Sequence, residues 1–596
     1  MCFGEGNVDC FPLKTMIPDK IKTFFKRAFG DKDVYQLGII ILLAFLVRWY
    51  YCSLRTVFDN WDSTAYIWLA QNIHEGHGLR LWPGGPVHTW FQPLYPCFIS
   101  LAYPLFHNYE QAAYFVSALG GSLLIIPAFL LTRLLFSREA AYLIAIIFVF
   151  QYRLVEMSSS VLSEIPYCFF WLFGLYFAFR VLVYGKYAMK EFFFCGLFLG
   201  IASLIRTESN FDFLLVFVIA CVQLVWKYFR AGGGAAGAVG DPGVRARGED
   251  AAGAANAGGN AEAGAGAGAG VNFLRVLILG LAYLVCIGPY AFFLYEQMGV
   301  LTFTGRTTHS VFIVMEAEGD VYEFYDGSPI SYVIRTPLKA FRRVVDNDEY
   351  IFRKLSIWAF HPVMTFFMGL GVFGNPWTGR DLRKMGLFFL FLLFPWLTYY
   401  GVTGILNRYY TTSIILVLLL VANGLVYCYQ WFERSEFRKG YAAGFLSTRK
   451  FMYSLLLLLF LLINIRPLVY PINLGKFPDH GDQVKDLAIA GWIRGNLPKD
   501  HPSVLCVSPR IAYYCNGIFY GDSDKKMDIA GLGDFIKKNR IDIVVVDDLF
   551  TGQWFPALKV LGDPGSAPAY LKFLHKIHYR YDTAVEGDAL IYQAIN

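Results

Sequence analysis

Residues 409–431 read YYTTSIILVLLLVANGLVYCYQW, a run without a single charged side chain. An α-helix needs about 20 consecutive, mostly apolar residues to cross the hydrocarbon core of a bilayer. Comparable apolar runs recur along most of the chain, at about 36–52, 111–136, 139–157, 160–183, 191–205, 210–229, 272–296, 355–374, 383–402 and 451–468. The sequence therefore predicts a polytopic α-helical membrane protein with about 11 or more transmembrane helices.

The composition supports the same class of protein. Of the 596 residues, 56% are hydrophobic and only 16% are charged, and the mean hydropathy is +0.43. An ordinary soluble domain carries about 25% charged residues. The deficit extends along most of the chain, so a single anchor helix cannot explain it. The net charge of +6 lies in short loops between apolar runs, which favours a role in membrane topology and argues against nucleic-acid binding.

Lysine and arginine residues between the apolar runs set the expected orientation. Cytoplasmic loops are enriched in these residues, and the rule places the basic amphipathic N-terminus, residues 1–35, in the cytoplasm. Alternation of the spans then puts these cations on the cytoplasmic side: Arg133, Arg138, Arg180, Lys186, Lys190, Lys227, Arg230, Arg380, Arg383, Lys384, Arg434 and Lys439. The predicted outer segments are 53–110, 158–165, 206–209, 298–354, 403–408 and 471–596.

The chain divides into two parts by pattern. Residues 36–470 are predicted to form the transmembrane catalytic domain, with juxtamembrane helices in its first outer loop. Residues 231–270 are rich in Gly and Ala, which predicts a disordered cytoplasmic linker. Helix and strand patterns alternate within 471–596, which predicts a small extracytoplasmic α/β domain with a mainly parallel sheet. Cys506 and Cys515 lie in this domain, and the sequence leaves open whether they pair.

The first outer loop contains the most informative stretch, Phe58-Asp59-Asn60-Trp61-Asp62-Ser63-Thr64-Ala65-Tyr66. Asp62 and Tyr66 are four residues apart, so they share one face of a helix. A helix that begins near Asp62 would hold this carboxylate rigidly at the outer surface, whereas Asp59 would precede the helix. Asp62 is therefore the leading candidate for a general base and Asp59 the second. The alternative is that Asp62 only caps the helix.

Four further charged residues lie in predicted outer segments: Glu164, Arg206, Glu208 and Arg408. A carboxylate at the edge of the hydrocarbon needs partners, and an arginine there can hold phosphate oxygens in a bidentate grip. Two arginines and several carboxylates at one membrane surface suit transfer of a group from a phosphorylated lipid. The alternatives are a helix N-terminal carboxylate for Glu164 and interfacial snorkelling for each arginine.

The outer loop 298–354 contains a basic amphipathic pattern over residues 337–345. Arg342 and Arg343 lie on this predicted helix. One hypothesis is that the two arginines contact the phosphate of a lipid carrier when it binds. The alternative is that the helix rests on anionic lipid headgroups.

In its ordered set of motifs, the sequence resembles the GT-C glycosyltransferases, above all the branch of protein O-mannosyltransferases and the bacterial aminoarabinose transferase that modifies lipid A. The resemblance extends over about 36–430, and a trailing extracytoplasmic α/β domain also occurs in this branch. The matching motifs are Asp62-x-x-x-Tyr66, Gly76-x-Gly78, Pro93-Leu94-Tyr95-Pro96, Leu162-Ser163-Glu164, Ile205-Arg206-Thr207-Glu208 and Asn407-Arg408-Tyr409-Tyr410.

The resemblance implies a polyprenyl-phosphate-linked sugar as donor and an extracytoplasmic lipid, glycan or protein as acceptor, in the cytoplasmic membrane of a bacterium. It places the general base at Asp62, and it places donor or phosphate contacts at Glu164, Arg206 and Arg408. Two departures matter. Some relatives have a lysine near the lipid phosphate where this chain has Gln92, and the mannosyltransferases have an Asp-Glu pair where this chain has Asp62-Ser63.

The sequence thus predicts a membrane glycosyltransferase that inverts the anomeric carbon. The alternatives are a transporter or flippase of lipid-linked sugars and a catalytically inactive GT-C relative. No cofactor is predicted, because the candidate acids Asp59, Asp62, Glu164 and Glu208 do not form a compact Asp-x-Asp motif. A divalent cation held by carboxylate oxygens is the alternative to metal-independent activity.

Overall fold

A computed structural model describes most of the chain. The described residues are 31–58, 61–184, 188–236, 251–305, 311–315, 322–326, 362–374, 379–395, 411–434, 481–497, 499–521, 529–547, 560–580 and 586–595, with short pieces between 334 and 346 and between 458 and 474.

Most of the described residues before 435 are helical. They are α1 (Asp31–Ser53), α2 (Trp61–His74), α3 (Leu94–Phe106), α4 (Tyr109–Leu123), α5 (Ile125–Leu135), α6 (Arg138–Phe150), α7 (Tyr152–Ser158), α8 (Glu164–Leu182), α9 (Met189–Ser203), α10 (Ser209–Ala236), α11 (Ala251–Met298), α12 (Pro362–Phe373), α13 (Gly379–Pro395) and α14 (Thr411–Arg434). A two-stranded antiparallel sheet, β1 (Val311–Met315) and β2 (Tyr322–Asp326), lies between α11 and α12.

Six helical segments among the described residues are long and apolar enough to cross a bilayer. They are Asp33–Ser53, Tyr109–Leu135, Glu164–Leu182, Ser209–Trp226, Phe273–Met298 and Thr411–Glu433, and the bent pair α6–α7 would make a seventh. The chain is an integral membrane protein. The apolar runs at 355–374, 383–402 and 451–468 lie partly outside the described residues, so the count of about 11 spans stays a prediction.

The run 139–157 is not one continuous helix, because the structure bends it by 58° between α6 and α7. Gln151 has an extended backbone at the break, and its side chain accepts a hydrogen bond from the Leu154 amide at 2.8 Å. The fully buried Arg48 donates to the Phe148 carbonyl at 2.7 Å. A helix that ends inside the membrane leaves such carbonyls without intrahelical partners, and Arg48 supplies one.

The Gly/Ala-rich segment 231–270, predicted to be a disordered linker, is described only at its two ends. α10 continues to Ala236, and α11 begins at Ala251, so helix covers both ends of the segment and only 237–250 lie outside the described residues. Alanine has the highest intrinsic helix propensity, and each end here extends an established transmembrane helix. The disorder of the segment as a whole stays a prediction.

The loops of each predicted side come together in the structure. On the predicted cytoplasmic side, Asp33 forms ion pairs with Arg133 and Arg138, and Lys384 donates to the Leu135 carbonyl at 2.7 Å. The predicted outer loops meet one another and the C-terminal domain through the contacts described below. The division of the loops into two groups thus agrees with the fold, while the membrane side that each group faces stays a prediction.

The C-terminal domain is an α/β unit with a five-stranded sheet. Its elements are α15 (Gly481–Asn496), β3 (Ser503–Leu505), α16 (Pro509–Tyr514), β4 (Ile518–Tyr520), α17 (Ile529–Asn539), β5 (Ile543–Asp547), β6 (Leu571–Arg580) and β7 (Glu586–Ala594). The strand order is β4-β3-β5-β7-β6. β3 pairs in parallel with β4 and β5, whereas β7 pairs antiparallel with β5 and β6.

The prediction of a mainly parallel sheet is therefore wrong, since the sheet is mixed. The missed feature is the antiparallel pair β6–β7, which closes the sheet after its βαβ part. β6 contains five Lys, Arg and His residues in ten positions, and this polarity conceals its strand pattern. Cys506 and Cys515 are both buried in the hydrophobic core of the domain, and they are not bonded to each other.

The C-terminal domain holds the beginning of the first outer loop. Nη1 of Arg510 and Nε2 of Gln483 both donate to the Phe58 carbonyl, at 3.1 and 3.3 Å. The Phe58 amide donates to the hydroxyl of Tyr514 at 3.0 Å. Arg510 is fully buried and is ion-paired with Asp486 at 2.8 Å. The domain thus fixes the backbone four residues before Asp62.

Reporter fusions test the orientation of the whole chain. Fusions after Arg230 and after Lys439 are expected to report the cytoplasm, and a fusion after Gly475 is expected to report the outside, because cytoplasmic loops attract lysine and arginine. Paired alkaline phosphatase and fluorescent-protein fusions at each position measure this directly. A cytoplasmic signal after Gly475 would place the C-terminal domain and the loops that it contacts on the opposite side.

Candidate active site

The helix α2 carries the first two candidate residues. It begins at Trp61, so Asp62 lies in its first turn, where the helix dipole favours a carboxylate. Asp62 is half-buried and Tyr66, one turn later on the same face, is buried. The hydroxyl of Ser63 donates to the Val161 carbonyl at 2.9 Å. This bond fixes the start of α2 against the second outer loop.

Tyr66 connects α2 with the start of α8. Its hydroxyl lies 2.9 Å from the Ser163 hydroxyl, and its ring packs between those of Phe91 and Tyr95, with both centroids 4.8 Å away. Burial raises the pKa of the Tyr66 hydroxyl, and the negative charges of Asp62 and Glu164 raise it further. The hydroxyl therefore keeps its proton at neutral pH and can serve as a hydrogen-bond donor.

Arg206 lies between α9 and α10 and binds two carboxylates. Its Nη1 is 2.7 Å from Oε1 of Glu164, and its Nη2 is 2.6 Å from Oε1 of Glu208. Nη1 also donates to the Ser163 hydroxyl at 3.4 Å. All three charged side chains are buried. A planar guanidinium holds such partners in fixed directions, so these residues, hereafter the Arg206 cluster, form a rigid unit beside Tyr66.

Acidic side chains outnumber arginine around the Arg206 cluster. Asp62, Glu164 and Glu208 supply three formal negative charges against the one positive charge of Arg206. The sequence assigned Arg206 to the donor phosphate, whereas the structure engages it with both glutamates. Its observed contacts are those of a residue that positions carboxylates, and a phosphate contact by Arg206 stays a prediction.

The residues around the cluster leave little open space. A cavity of about 10 Å³ is lined by Tyr66, Trp90, Phe91, Gln92, Ser163, Ile205, Arg206, Thr207 and Glu208. Such a volume holds about one water molecule. Gln92, where some relatives have a lysine near the lipid phosphate, is buried and lines this cavity. The described conformation is closed to a sugar at this point, so a substrate would have to displace side chains here.

One acidic residue of this region was missed by the sequence analysis. Asp212 is buried on α10, one turn after Glu208, and accepts a hydrogen bond from the Trp171 indole at 2.9 Å. Asp212 lies in the first turn of α10, whereas Glu208 directly precedes this helix. An acid inside an apolar run is costly and commonly functional, and this signal was present in the sequence.

Three candidate residues lie outside the described residues: Asp59, Arg343 and Arg408. Arg342 is described, its side chain is 85% exposed, and its Nε lies 3.9 Å from Oδ2 of Asp346. The apolar residues Ile334 and Leu338 nearby are also exposed. An exposed basic segment with exposed apolar side chains agrees with either hypothesis for this loop, the phosphate contact or the headgroup contact.

No group of three or more His, Cys, Asp or Glu side chains able to hold a metal ion occurs among the residues that the structure describes. The Arg206 guanidinium lies between Glu164 and Glu208, where it already supplies the positive charge that a metal would bring. The metal requirement stays a prediction.

The architecture is that of an integral membrane protein with a C-terminal α/β domain, and its interhelical segments bring together a buried cluster of two glutamates and one arginine. The fold is similar to that of ArnT from Cupriavidus metallidurans, whose crystal structure was determined with bound undecaprenyl phosphate. That match has a TM-score of 0.50 and 12% identity, and it covers 93% of this chain and 98% of ArnT. At this identity, the likeness shows a shared fold.

The structure of the Archaeoglobus fulgidus oligosaccharyltransferase in the apo form also aligns, with a TM-score of 0.46 and 14% identity over 92% of this chain and 75% of that chain. The family model described as dolichyl-phosphate-mannose-protein mannosyltransferase matches residues 87–232. This segment contains Glu164, Arg206 and Glu208 but not Asp62. No match to a curated protein was found. The family match and the ArnT-like fold confirm the predicted resemblance to the GT-C glycosyltransferases.

Proposed function

We propose that the protein is a membrane glycosyltransferase that moves a sugar from a polyprenyl-phosphate-linked donor to an extracytoplasmic acceptor. The observation that supports it best is the position of Asp62. This carboxylate lies in the first turn of α2, and Tyr66 and Ser163 connect that helix to the Arg206 cluster. Sugar transfer needs a positioned base next to a site that can organise a charged donor.

In the proposed reaction, Asp62 accepts the proton of an acceptor hydroxyl or other nucleophilic group. The acceptor atom attacks the anomeric carbon as the bond between that carbon and the phosphate oxygen breaks. Polyprenyl phosphate leaves with the bonding electrons, and the anomeric carbon is inverted. Arg206 fixes Glu164 and Glu208, while the protonated Tyr66 hydroxyl maintains the link between α2 and Ser163.

The donor class is inferred from the family match and the shared fold. The printed family description names dolichyl-phosphate-mannose, and the ArnT structure of similar fold holds undecaprenyl phosphate. Both compounds are polyprenyl phosphates or their sugar derivatives, so we assign the same donor class to this chain. Gln92 lines the cavity beside Arg206 in place of the lysine of some relatives, which argues against aminoarabinose as the sugar.

The proposed function is tested by the fate of labelled donors. Purified protein in nanodiscs is incubated with polyprenyl-phosphate sugars and an extract of envelope glycans, lipids and proteins as the source of acceptors. We expect release of free polyprenyl phosphate and transfer of the labelled sugar. A flippase would move the donor across a vesicle membrane without cleaving it, and an inactive relative would do neither, so either result contradicts the proposal.

The same assay tests the role of metals. EDTA is expected to leave turnover unchanged, because Arg206 already provides the positive charge between two of the acids. A loss of activity that is restored by a divalent cation would instead assign the carboxylates to a metal site with oxygen ligands.

A further inference from the structure

A second cavity, of about 870 Å³, lies between α2 and the C-terminal domain. Trp68, Asn72 and Glu75 of α2 line it, at spacings that place them on one helix face. Asp62 and Tyr66 lie on the opposite face of the same helix. This cavity, hereafter the aromatic cleft, is therefore separate from the Arg206 cluster. Its volume lies within the range of small-molecule binding sites, about 300–1,000 Å³.

Aromatic rings from both sides line the cleft. The Trp68 indole stacks on Phe519 of β4 with centroids 6.1 Å apart, and it lies 5.9 Å from the ring of Tyr513. Trp82, from the loop after α2, packs against Tyr520 with centroids 5.4 Å apart. Broad aromatic faces beside polar groups suit ligands that are apolar in the middle and polar at the edge. Sugar rings have this character, because C–H groups cover their faces and hydroxyls their edges.

Asn72 supplies an independent indication of a polar ligand. Its side chain is only 3% exposed, and its Nδ2 donates to the Trp68 carbonyl at 2.9 Å. Within the part of the chain that the structure describes, its Oδ1 has no hydrogen-bond partner. A buried acceptor without a partner requires an explanation, and a ligand hydroxyl that enters the cleft would satisfy it.

The charges of the cleft argue for an uncharged ligand. Glu75 and Glu110 face one arginine, Arg494. The carboxylate of Glu110 is engaged by the Tyr513 hydroxyl at 2.7 Å. A site for phosphate groups or anionic headgroups would carry an excess of positive charge, and this cleft does not.

The loop that carries Trp82 is pre-organised. Residues Arg80 and Val87 form a β-bridge, the His88 amide donates to the Leu79 carbonyl at 2.7 Å, and Arg80 donates to the Gly85 carbonyl. The Trp82 indole packs directly over Gly85, where an added Cβ would lie 2.6 Å from ring atoms. The loop thus holds the indole at the cleft before any ligand arrives, which lowers the entropic cost of binding.

We propose that the aromatic cleft binds a neutral carbohydrate, the glycan part of the acceptor, at a site distinct from the Arg206 cluster. The role as acceptor site rests on the proposed glycosyltransferase function, whereas carbohydrate binding itself does not. Stacking on Trp82 and Trp68 and a hydrogen bond to Asn72 would provide the affinity. The carbohydrate would lie against α2, the helix that carries Asp62. One helix would then both contact the acceptor and supply the general base.

Binding is tested without donor or turnover. Neutral oligosaccharides built of mannose, glucose, galactose or N-acetylglucosamine are titrated into the full-length protein in nanodiscs, and tryptophan fluorescence is followed. We expect saturable binding by at least one of them, with affinity reduced about tenfold or more in Trp82→Ala and in Asn72→Ala. Gly85→Ala is expected to reduce affinity as well, because it displaces the indole but does not delete it.

Three controls sharpen the result. Trp226→Ala removes an exposed tryptophan of α10 and should leave affinity unchanged. Asp62→Asn should keep binding while turnover falls, and inorganic phosphate or a proline-rich peptide should not compete. Thermal unfolding of each variant shows whether it is folded, and Gly85→Ala provides a second route if Asn72→Ala unfolds.

The outcomes separate the two proposals. Oligosaccharide binding without sugar transfer supports the proposal for the aromatic cleft and contradicts the proposed glycosyltransferase function. Sugar transfer without any oligosaccharide binding, or binding that Trp82→Ala and Gly85→Ala both leave intact, overturns the cleft proposal. Preferential binding of the peptide also overturns it, since the cleft would then recognise a polypeptide.

Discussion

Asp62→Asn is expected to lower turnover by a factor on the order of 100 or more, as for the loss of a general base, while the protein stays folded. Asparagine keeps the size of the side chain and its hydrogen-bonding capacity in the first turn of α2, but it cannot accept the proton. The carboxylate is half-buried and lies one turn from Tyr66, on a helix anchored by Ser63. A base must lie within about 3 Å of the proton that it removes. A carboxylate on an anchored helix keeps such a position more readily than one on a mobile loop.

The matched control is Asp59→Asn, three residues earlier, which is expected to lower turnover clearly less. Turnover of both variants is measured beside the parent in nanodiscs, with thermal unfolding in parallel. Near-parental turnover of Asp62→Asn together with an inactive Asp59→Asn would move the base to Asp59. If both variants remain active, the first outer loop does not hold the base, and Glu164 becomes the leading candidate.

Arg206→Met is expected to abolish turnover and to lower the free energy of unfolding by about 3–5 kcal/mol, because it leaves Glu164 and Glu208 buried without their cation. Adding Glu164→Gln should recover part of the lost stability, since it removes one of the two uncompensated charges. The measurements are thermal unfolding in detergent and the turnover of the folded fraction.

Arg180→Met is a matched control at the predicted cytoplasmic side. Arg180 pairs with Glu191 at 2.8 Å, and its side chain is 27% exposed against 9% for Arg206. A smaller loss of stability with retained turnover is therefore expected. If Arg206→Met keeps parental stability and only weakens the apparent affinity for donor, Arg206 contacts phosphate as the family resemblance implies. Its role in positioning the two glutamates would then be wrong.

Much of the membrane domain follows from local sequence. Apolar runs located most of its helices because a bilayer demands long apolar segments. The lysine and arginine pattern grouped the loops that meet in the structure, such as those of Glu164 and Arg206. The alternating helix and strand patterns within 471–596 likewise identified the C-terminal α/β domain.

Other features depend on contacts that are distant in sequence. The bend near Gln151 is accompanied by a hydrogen bond from Arg48, about one hundred positions earlier, and hydropathy alone does not indicate it. The pairing of Arg206 with Glu164 depends on how the start of α8 packs against the loop between α9 and α10. The aromatic cleft joins α2 to β4, and no local pattern connects Trp68 with Phe519.

The hydrogen bonds between the C-terminal domain and the Phe58 backbone have a consequence for the biosynthesis of the protein. The Phe58 carbonyl and Arg510 are separated by 452 positions along the chain. Domains form in the order of their synthesis, so α2 leaves the ribosome long before the groups that fix its start exist. Contacts of such sequence separation form late, because a long loop must close first. The loop that bears Asp62 can therefore adopt its final conformation only near the end of biosynthesis, when the rest of the chain is already inserted in the membrane.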